Sequence, residues 1–212
     1  MADAKFITFE GGEGAGKSTQ IALLAEALAT AGFSARTTRE PGGNPGAEQI
    51  RELLVTGEAD RWDAMTEALL HFAARREHLR SVVRPSLATG QWVLSDRFAD
   101  STMAYQGYGH GLGRAAIEQL YALTVGDFAP DLTLILDIPV TLGLERALER
   151  RDGEDRYEGL GDAFHERLRQ GFREIADREP DRCVLIDASG EIAAVQAAIR
   201  ACVAERLGVP LA

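Results

Sequence analysis

Between residues 11 and 18 the chain spaces glycines, a lysine and a hydroxyl as phosphate chemistry requires. The stretch Phe6-Ile-Thr-Phe-Glu-Gly-Gly-Glu-Gly-Ala-Gly-Lys-Ser-Thr19 holds a complete G-x-x-x-x-G-K-[ST] pattern, with Gly11, Gly16, Lys17 and Ser18 in the fixed positions. Glycines allow tight winding, so that successive backbone N–H groups converge on an anion. In such a loop Lys17 reaches the β- and γ-phosphates of a nucleotide, and the Ser18 hydroxyl takes a position on Mg²⁺. Gly11, Gly12, Glu13, Gly14, Ala15, Gly16, Lys17, Ser18 and Thr19 are therefore the expected phosphate cradle.

Such a cradle works only between a strand and a helix. The apolar run from Lys5 to Phe9 predicts a buried strand, and Gln20 to Ala29 is rich in strong helix formers. That helix would aim the partial positive charge of its N-terminus at the phosphates. Farther on, residues 33–38, 91–95, 132–137 and 183–187 read as strands. Helices are expected over 47–54, 62–87 (interrupted near Pro85), 98–105, 114–125, 140–151, 163–178 and 191–207. Strands alternating with helices predict a parallel sheet covered on both faces, with ligands at the carboxyl ends of the strands. The loops at those ends are 11–18, 39–46, 96–106 and 187–190.

Composition narrows the partners. A chain of 212 residues, 45% hydrophobic and 26% charged, suits one domain with its own core. A net charge of −10 argues against a general nucleic-acid binder, which carries a basic surface. Cys183 and Cys202 lack metal-ligand spacing and sit in apolar segments, as free buried thiols do. No signal-like start and no apolar run near the roughly 18 residues of a membrane span is present, so a cytoplasmic protein with no membrane partner is expected.

Phosphoryl transfer needs a donor cradle, charge neutralisation and a second site holding an acceptor in line. Asp96, at a strand end, is a natural Mg²⁺ partner, directly or through water. Arg39 and Arg97 also stand at strand ends, and their forked guanidinium groups match phosphate oxygens. Arg150, Arg151 and Arg156 lie among glycine and acids, in a segment suited to closing as a lid that excludes water. A regulatory nucleotide switch is the competing reading. It would need a water-orienting residue and no acceptor-side arginines.

The blocks Phe9-Glu-Gly-Gly-Glu-Gly-Ala-Gly-Lys-Ser-Thr19, Thr38-Arg-Glu-Pro-Gly-Gly43, Asp96-Arg-Phe98 and Ser101-Thr-Met-Ala-Tyr-Gln-Gly107 resemble those of bacterial thymidylate kinases, from about residue 5 to 207. The resemblance implies a three-layer P-loop kinase fold: a five-stranded parallel α/β sheet, helices on both faces, and a small lid over about 150–161 of a single domain 1–212. It implies phosphorylation of dTMP by ATP with Mg²⁺, and a homodimer packed through helices, for which 62–84 and 114–125 are candidates. A kinase of the same architecture with another acceptor is the near alternative, and Arg75, Thr102 and Tyr105 argue for thymine and deoxyribose.

By the same resemblance Glu13 faces the deoxyribose, while Arg39 and Arg97 serve the acceptor phosphate and the transferring group. Arg75 donates to a thymine carbonyl, Thr102 faces the base, and Tyr105 crowds the ribose 2′ position. Ser101 and Gln106 belong to the same pocket. The phosphate loop has no arginine, so the chain resembles members that supply it from the lid, with Arg151 and Arg156 as catalytic candidates. One departure stands out. The family's base-stacking phenylalanine falls on His71, with Phe72 beside it. Either His71 stacks on thymine, or Phe72 pairs with Arg76 instead; both His71 and Phe72 are expected to line the pocket.

Overall fold

The computed structural model describes residues 4–58, 60–150 and 157–211. Strands β1 (Phe6–Glu10), β2 (Ala35–Arg39), β3 (Trp92–Asp96), β4 (Leu132–Asp137) and β5 (Cys183–Asp187) form one sheet in the order β2-β3-β1-β4-β5. Every pairing is parallel. The register sets Asp96 opposite both Phe9 and Arg39, so the ends of three strands stand level beneath the loops that follow. In β1 every residue is buried, as a strand covered on both faces must be.

The helices are α1 (Lys17–Thr30), α2 (Pro45–Val55), α3 (Ala64–His78), α4 (Arg84–Ala88), α5 (Ala99–Thr102), α6 (Arg114–Thr124), α7 (Val140–Arg150), α8 (Asp162–Arg178) and α9 (Ile192–Leu207). Period-two alternation sorts the strands' side chains into two cores. On one face Ile7, Leu94 and Leu134 meet Leu24 and Leu28 of α1 and Ile199 and Val203 of α9. On the other, Phe6, Val93 and Ile135 meet Phe72 of α3 and Leu168, Phe172 and Ile175 of α8. Each fully buried side chain of this size contributes about 1.5–3 kcal/mol. No described helix is long and apolar enough to cross a membrane.

The departures from expectation lie at loops and turns. Asn44 caps α2, its Oδ1 accepting from Ala47 N at 3.2 Å, and Pro45 takes the first helical position, so the helix starts before residue 47. The expected helix 62–87 is broken by a π turn over Leu79–Val83. Pro85 then opens α4, where its missing N–H costs nothing. The expected helix 98–105 is α5 followed by a second π turn, Met103–Gly109, which carries Tyr105 and Gln106. Wide turns of this kind are frequent at functional sites.

Candidate active site

The phosphate loop leaves β1 and winds into the first turn of α1. Gly14 has φ +66° and its backbone lies against Gly143 of α7: a Cβ on Gly14 would stand 1.9 Å from the Gly143 carbonyl oxygen. Only glycine fits that approach. Lys17 Nζ donates to the carbonyls of Gly12 at 2.9 Å and Gly11 at 3.2 Å, bridging the loop it would share with phosphate. Burial first, and Arg97 second, lower its pKa to about 8 against the pull of Asp96, Glu13 and Glu10.

Ser18 Oγ donates to Asp96 Oδ2 at 2.7 Å, joining the N-terminus of α1 to the end of β3. A hydroxyl and a carboxylate are hard oxygen donors of the kind Mg²⁺ takes. Among the described residues there is no cluster of three or more His, Cys, Asp or Glu side chains suited to a metal. The fit is therefore to an ion that keeps waters and substrate phosphates as its other ligands. Arg39 stands beside this corner, on a groove with Ser18 and Asp96. Its side chain is 53% exposed and pairs with Glu48 at 3.1 Å. Arg39 does not line the cleft described below.

Arg97 is the one non-glycine residue with positive φ (68°) among those described. That left-handed conformation costs about 1–3 kcal/mol and persists only where its surroundings enforce it. They do so through backbone and side chain alike. Arg97 N donates to Phe9 O at 2.9 Å, and beneath the corner the buried Glu10 accepts from Phe98 N at 2.7 Å and from Ser101 Oγ. Burial, reinforced by Asp100, raises the Glu10 carboxyl's pKa. The guanidinium donates to Gly11 O at 3.0 Å, Ser101 Oγ at 3.1 Å, Glu13 Oε1 at 3.1 Å and Tyr105 Oη at 2.9 Å. Tyr105 in turn donates to Glu13. Burial would raise the Glu13 carboxyl, but Arg97 and Lys17 outweigh it and hold it at about 2.

Glu13, Arg97, Ser101 and Tyr105 line a cleft, together with Glu40, Arg51, His71, Arg75, Thr102, Gln106 and Tyr157. Arg75 is held from behind. Its Nε donates to Glu40 Oε2 at 2.8 Å, and one Nη donates to Phe98 O at 2.9 Å and Thr102 Oγ1 at 3.0 Å. Glu40 also pairs with His78 Nδ1 at 2.8 Å, and Thr38 Oγ1 meets His78 Nε2 at 2.7 Å. A guanidinium buried with its carboxylate and tethered through two of its three nitrogens is preorganised for a ligand. Its remaining nitrogen, Nη1, is buried with no hydrogen-bond partner among the described residues.

Phe72 departs from its expected place. It is 1% exposed, sits in the core and lies under the Arg75 guanidinium at 4.8 Å from ring centroid to Cζ. The turn of α3 that brings His71 to the cleft points the next side chain into the protein. His71 Nε2 lies 3.2 Å from Tyr157 Oη, and Tyr157 packs edge-on against Tyr105 at 5.4 Å. Arg151 and Arg156 lie outside the described residues. Sequence reasoning missed Glu10, Glu40, Gly143 and Tyr157. Of these only Glu40 carried a signal, as the acid of the Arg39-Glu-Pro-Gly-Gly43 block.

Comparison with known proteins adds an independent line. The pattern described as thymidylate kinase matches residues 9–199. A thymidylate kinase of Caulobacter vibrioides is 59% identical over 209 residues, covering 99% of this chain and 100% of that one. One from Nitrobacter hamburgensis is 49% identical, covering 96% and 89%. The crystal structure of thymidylate kinase from Ehrlichia chaffeensis superposes with a TM-score of 0.76 at 36% identity, over 94% of this chain and 98% of that one. Matched nearly end to end in sequence and in fold, the chain belongs to the thymidylate kinase family.

Proposed function

We propose that the chain transfers the γ-phosphoryl group of Mg-ATP to dTMP, giving dTDP and ADP, as one kinase domain whose lid spans about 150–161. The observation that carries this reading is the position of Glu13. It belongs to the phosphate loop and also lines the second cleft, where Arg97 and Tyr105 hold it. Donor cradle and acceptor pocket thus share a wall, as in-line transfer requires.

On this reading residues 11–19 cradle the donor, and Lys17 shifts from the loop carbonyls to the β- and γ-phosphates. Ser18 and Asp96 would hold Mg²⁺, whose charge offsets that of the phosphate oxygens. A dTMP phosphate oxygen attacks the γ-phosphorus, the bond to the β,γ-bridging oxygen breaks, and ADP leaves. Arg97 donates to the acceptor phosphate and the transferring group, and Arg39 joins it after leaving Glu48. Arg151 and Arg156 complete the charge from the lid. In the cleft Arg75 donates to the thymine carbonyl, Thr102 and Gln106 face the base, and His71 borders it. Phe72 acts from beneath, through Arg75. Ser101 steadies Arg97, while Glu13 and Tyr105 meet the sugar, where Tyr105 disfavours a 2′-hydroxyl.

The test is ADP release from ATP and Mg²⁺ with dTMP, dUMP, UMP, CMP, AMP and GMP as acceptors. Turnover with dTMP well above the others is expected. Acceptor-independent ADP release would sink the kinase reading, and preference for another acceptor would sink the base assignment alone.

The Lys17 value gives a pH prediction. A lysine lowered to about 8 loses its charge as pH rises through that value. The ratio kcat/KM for ATP, which titrates the free enzyme, is expected to fall above about pH 8. In contrast, kcat holds to higher pH, because bound phosphates favour the ammonium form. A kcat/KM flat to about pH 9.5 would remove Lys17 as the titrating group.

The reading extends to a cytoplasmic homodimer. It is supported by apolar surface left at Met65 and Leu69 of α3 and at Leu123 of α6, which is 83% exposed. Sedimentation at micromolar concentration checks it.

A further inference from the structure

Two buried polar atoms in residues of the cleft wall have no hydrogen-bond partner among the described residues: Nη1 of Arg75 and Oε1 of Gln106. The first can only donate and the second can only accept. Gln106 is fully buried on the π turn after α5, and its Nε2 donates to Oε2 of Glu67 at 3.0 Å. Glu67 comes from α3 and is 1% exposed. His110 Nε2 lies 3.6 Å from the same carboxylate oxygen.

The two ends of a side-chain amide are nearly identical in shape, so packing alone does not decide which end meets a ligand. A carboxylate decides it. Its oxygen Oε2 accepts from Gln106 Nε2, which turns the amide NH₂ toward Glu67 and leaves the carbonyl to a ligand in the cleft. We propose that Glu67 is a positioning residue for base selection: it locks Gln106 as an acceptor, so that with the Arg75 donor the cleft presents one acceptor and one donor.

This inference rests on the thymidylate reading. Thymine offers the complement, an N3–H donor beside the O4 acceptor. Cytosine offers the reverse, an N3 acceptor beside an amino donor, and would leave both buried groups unpaired. A site that hydrogen-bonds its substrate rejects such a mismatch far more strongly than it rejects a change of shape. Without Glu67, Gln106 can turn either end to the base, and half of that discrimination goes.

Glu67→Gln tests this, because the new amide can donate or accept and frees Gln106 to flip. The KM for dTMP is expected to rise about tenfold with kcat within about twofold. The preference for dTMP over dCMP, as a ratio of kcat/KM, falls about tenfold because dCMP does not share the loss. In the Gln106→Met background, adding Glu67→Gln should leave that ratio unchanged.

A loosened core would lower both acceptors together, and a ratio unchanged within about twofold in a folded Glu67→Gln would overturn the proposal. Turnover of dTMP by the unaltered chain, run alongside, tests the thymidylate reading separately. Glu67→Met, similar in volume and uncharged, is the second variant and is read the same way. If neither Glu67 variant folds, Glu67 is a core residue and the proposal fails equally.

Discussion

Arg97→Ala is expected to lower kcat by about 10²–10³, the usual effect of removing a preorganised donor aimed at developing charge. On the proposed reading the side chain stands where the transferring group would pass. Its guanidinium spans the phosphate-loop carbonyl of Gly11, the Glu13 carboxylate and the Tyr105 hydroxyl. Burial opposes its charge, but Tyr105, Glu13, Asp96 and Glu10 outweigh burial and raise its pKa, so it stays charged at any working pH. Removing it also leaves Glu13 without the partner that holds its carboxyl near 2. Arg97→Gly separates chemistry from strain. Glycine accepts φ near 68° without cost, so this variant should fold at least as readily as Arg97→Ala and be equally inactive. Single-turnover kinetics with dTMP would locate the loss in the transfer step. An unchanged kcat in either variant removes Arg97 from the mechanism.

Gly14→Ala is the second large effect. The added Cβ would meet the Gly143 carbonyl at 1.9 Å, on a residue whose φ of +66° already disfavours any side chain. Left-handed strain and overpacking against backbone sum to about 2–4 kcal/mol of lost stability. ATP binding should go with it, because the loop must move to relieve the contact. The reciprocal change gives a sharper sign. Gly143 lies within α7, where glycine to alanine ordinarily stabilises by about 1 kcal/mol. Here its Cβ would stand 2.6 Å from the Glu13 carbonyl, so Gly143→Ala should destabilise instead and raise KM for ATP. A Tm that rises in Gly143→Ala would show that the loop and α7 are not packed as described.

The sequence determined what depends on near neighbours. The Gly11–Ser18 spacing, the apolar run before it and the helix formers after it specify strand, loop and helix in that order. Short apolar runs and helical spacing specified five strands and their covering helices, and the sheet contains the strands with ends shifted by a residue or two. Strand ends also marked Asp96 and Arg97, because a parallel sheet gathers its ligand loops there. Asn44-Pro45 starts a helix, whereas the glycine- and proline-rich composition around it reads as loop.

The tertiary structure alone decided how distant residues face one another. Phe72 and His71 are adjacent in sequence, and only the seat of α3 on the sheet sends one to the core and the other to the cleft. Arg39 stands at the right strand end, yet Glu48 holds it outside the cleft. Glu67 lies 39 residues from Gln106 but fixes its amide, and Gly143 is distant in sequence from Gly14 but admits no side chain opposite it. The reason is physical. Residue type and spacing fix what a side chain can do and which local element it joins, whereas its partner is set by packing two elements at a given depth. Sequence separation carries no record of that depth.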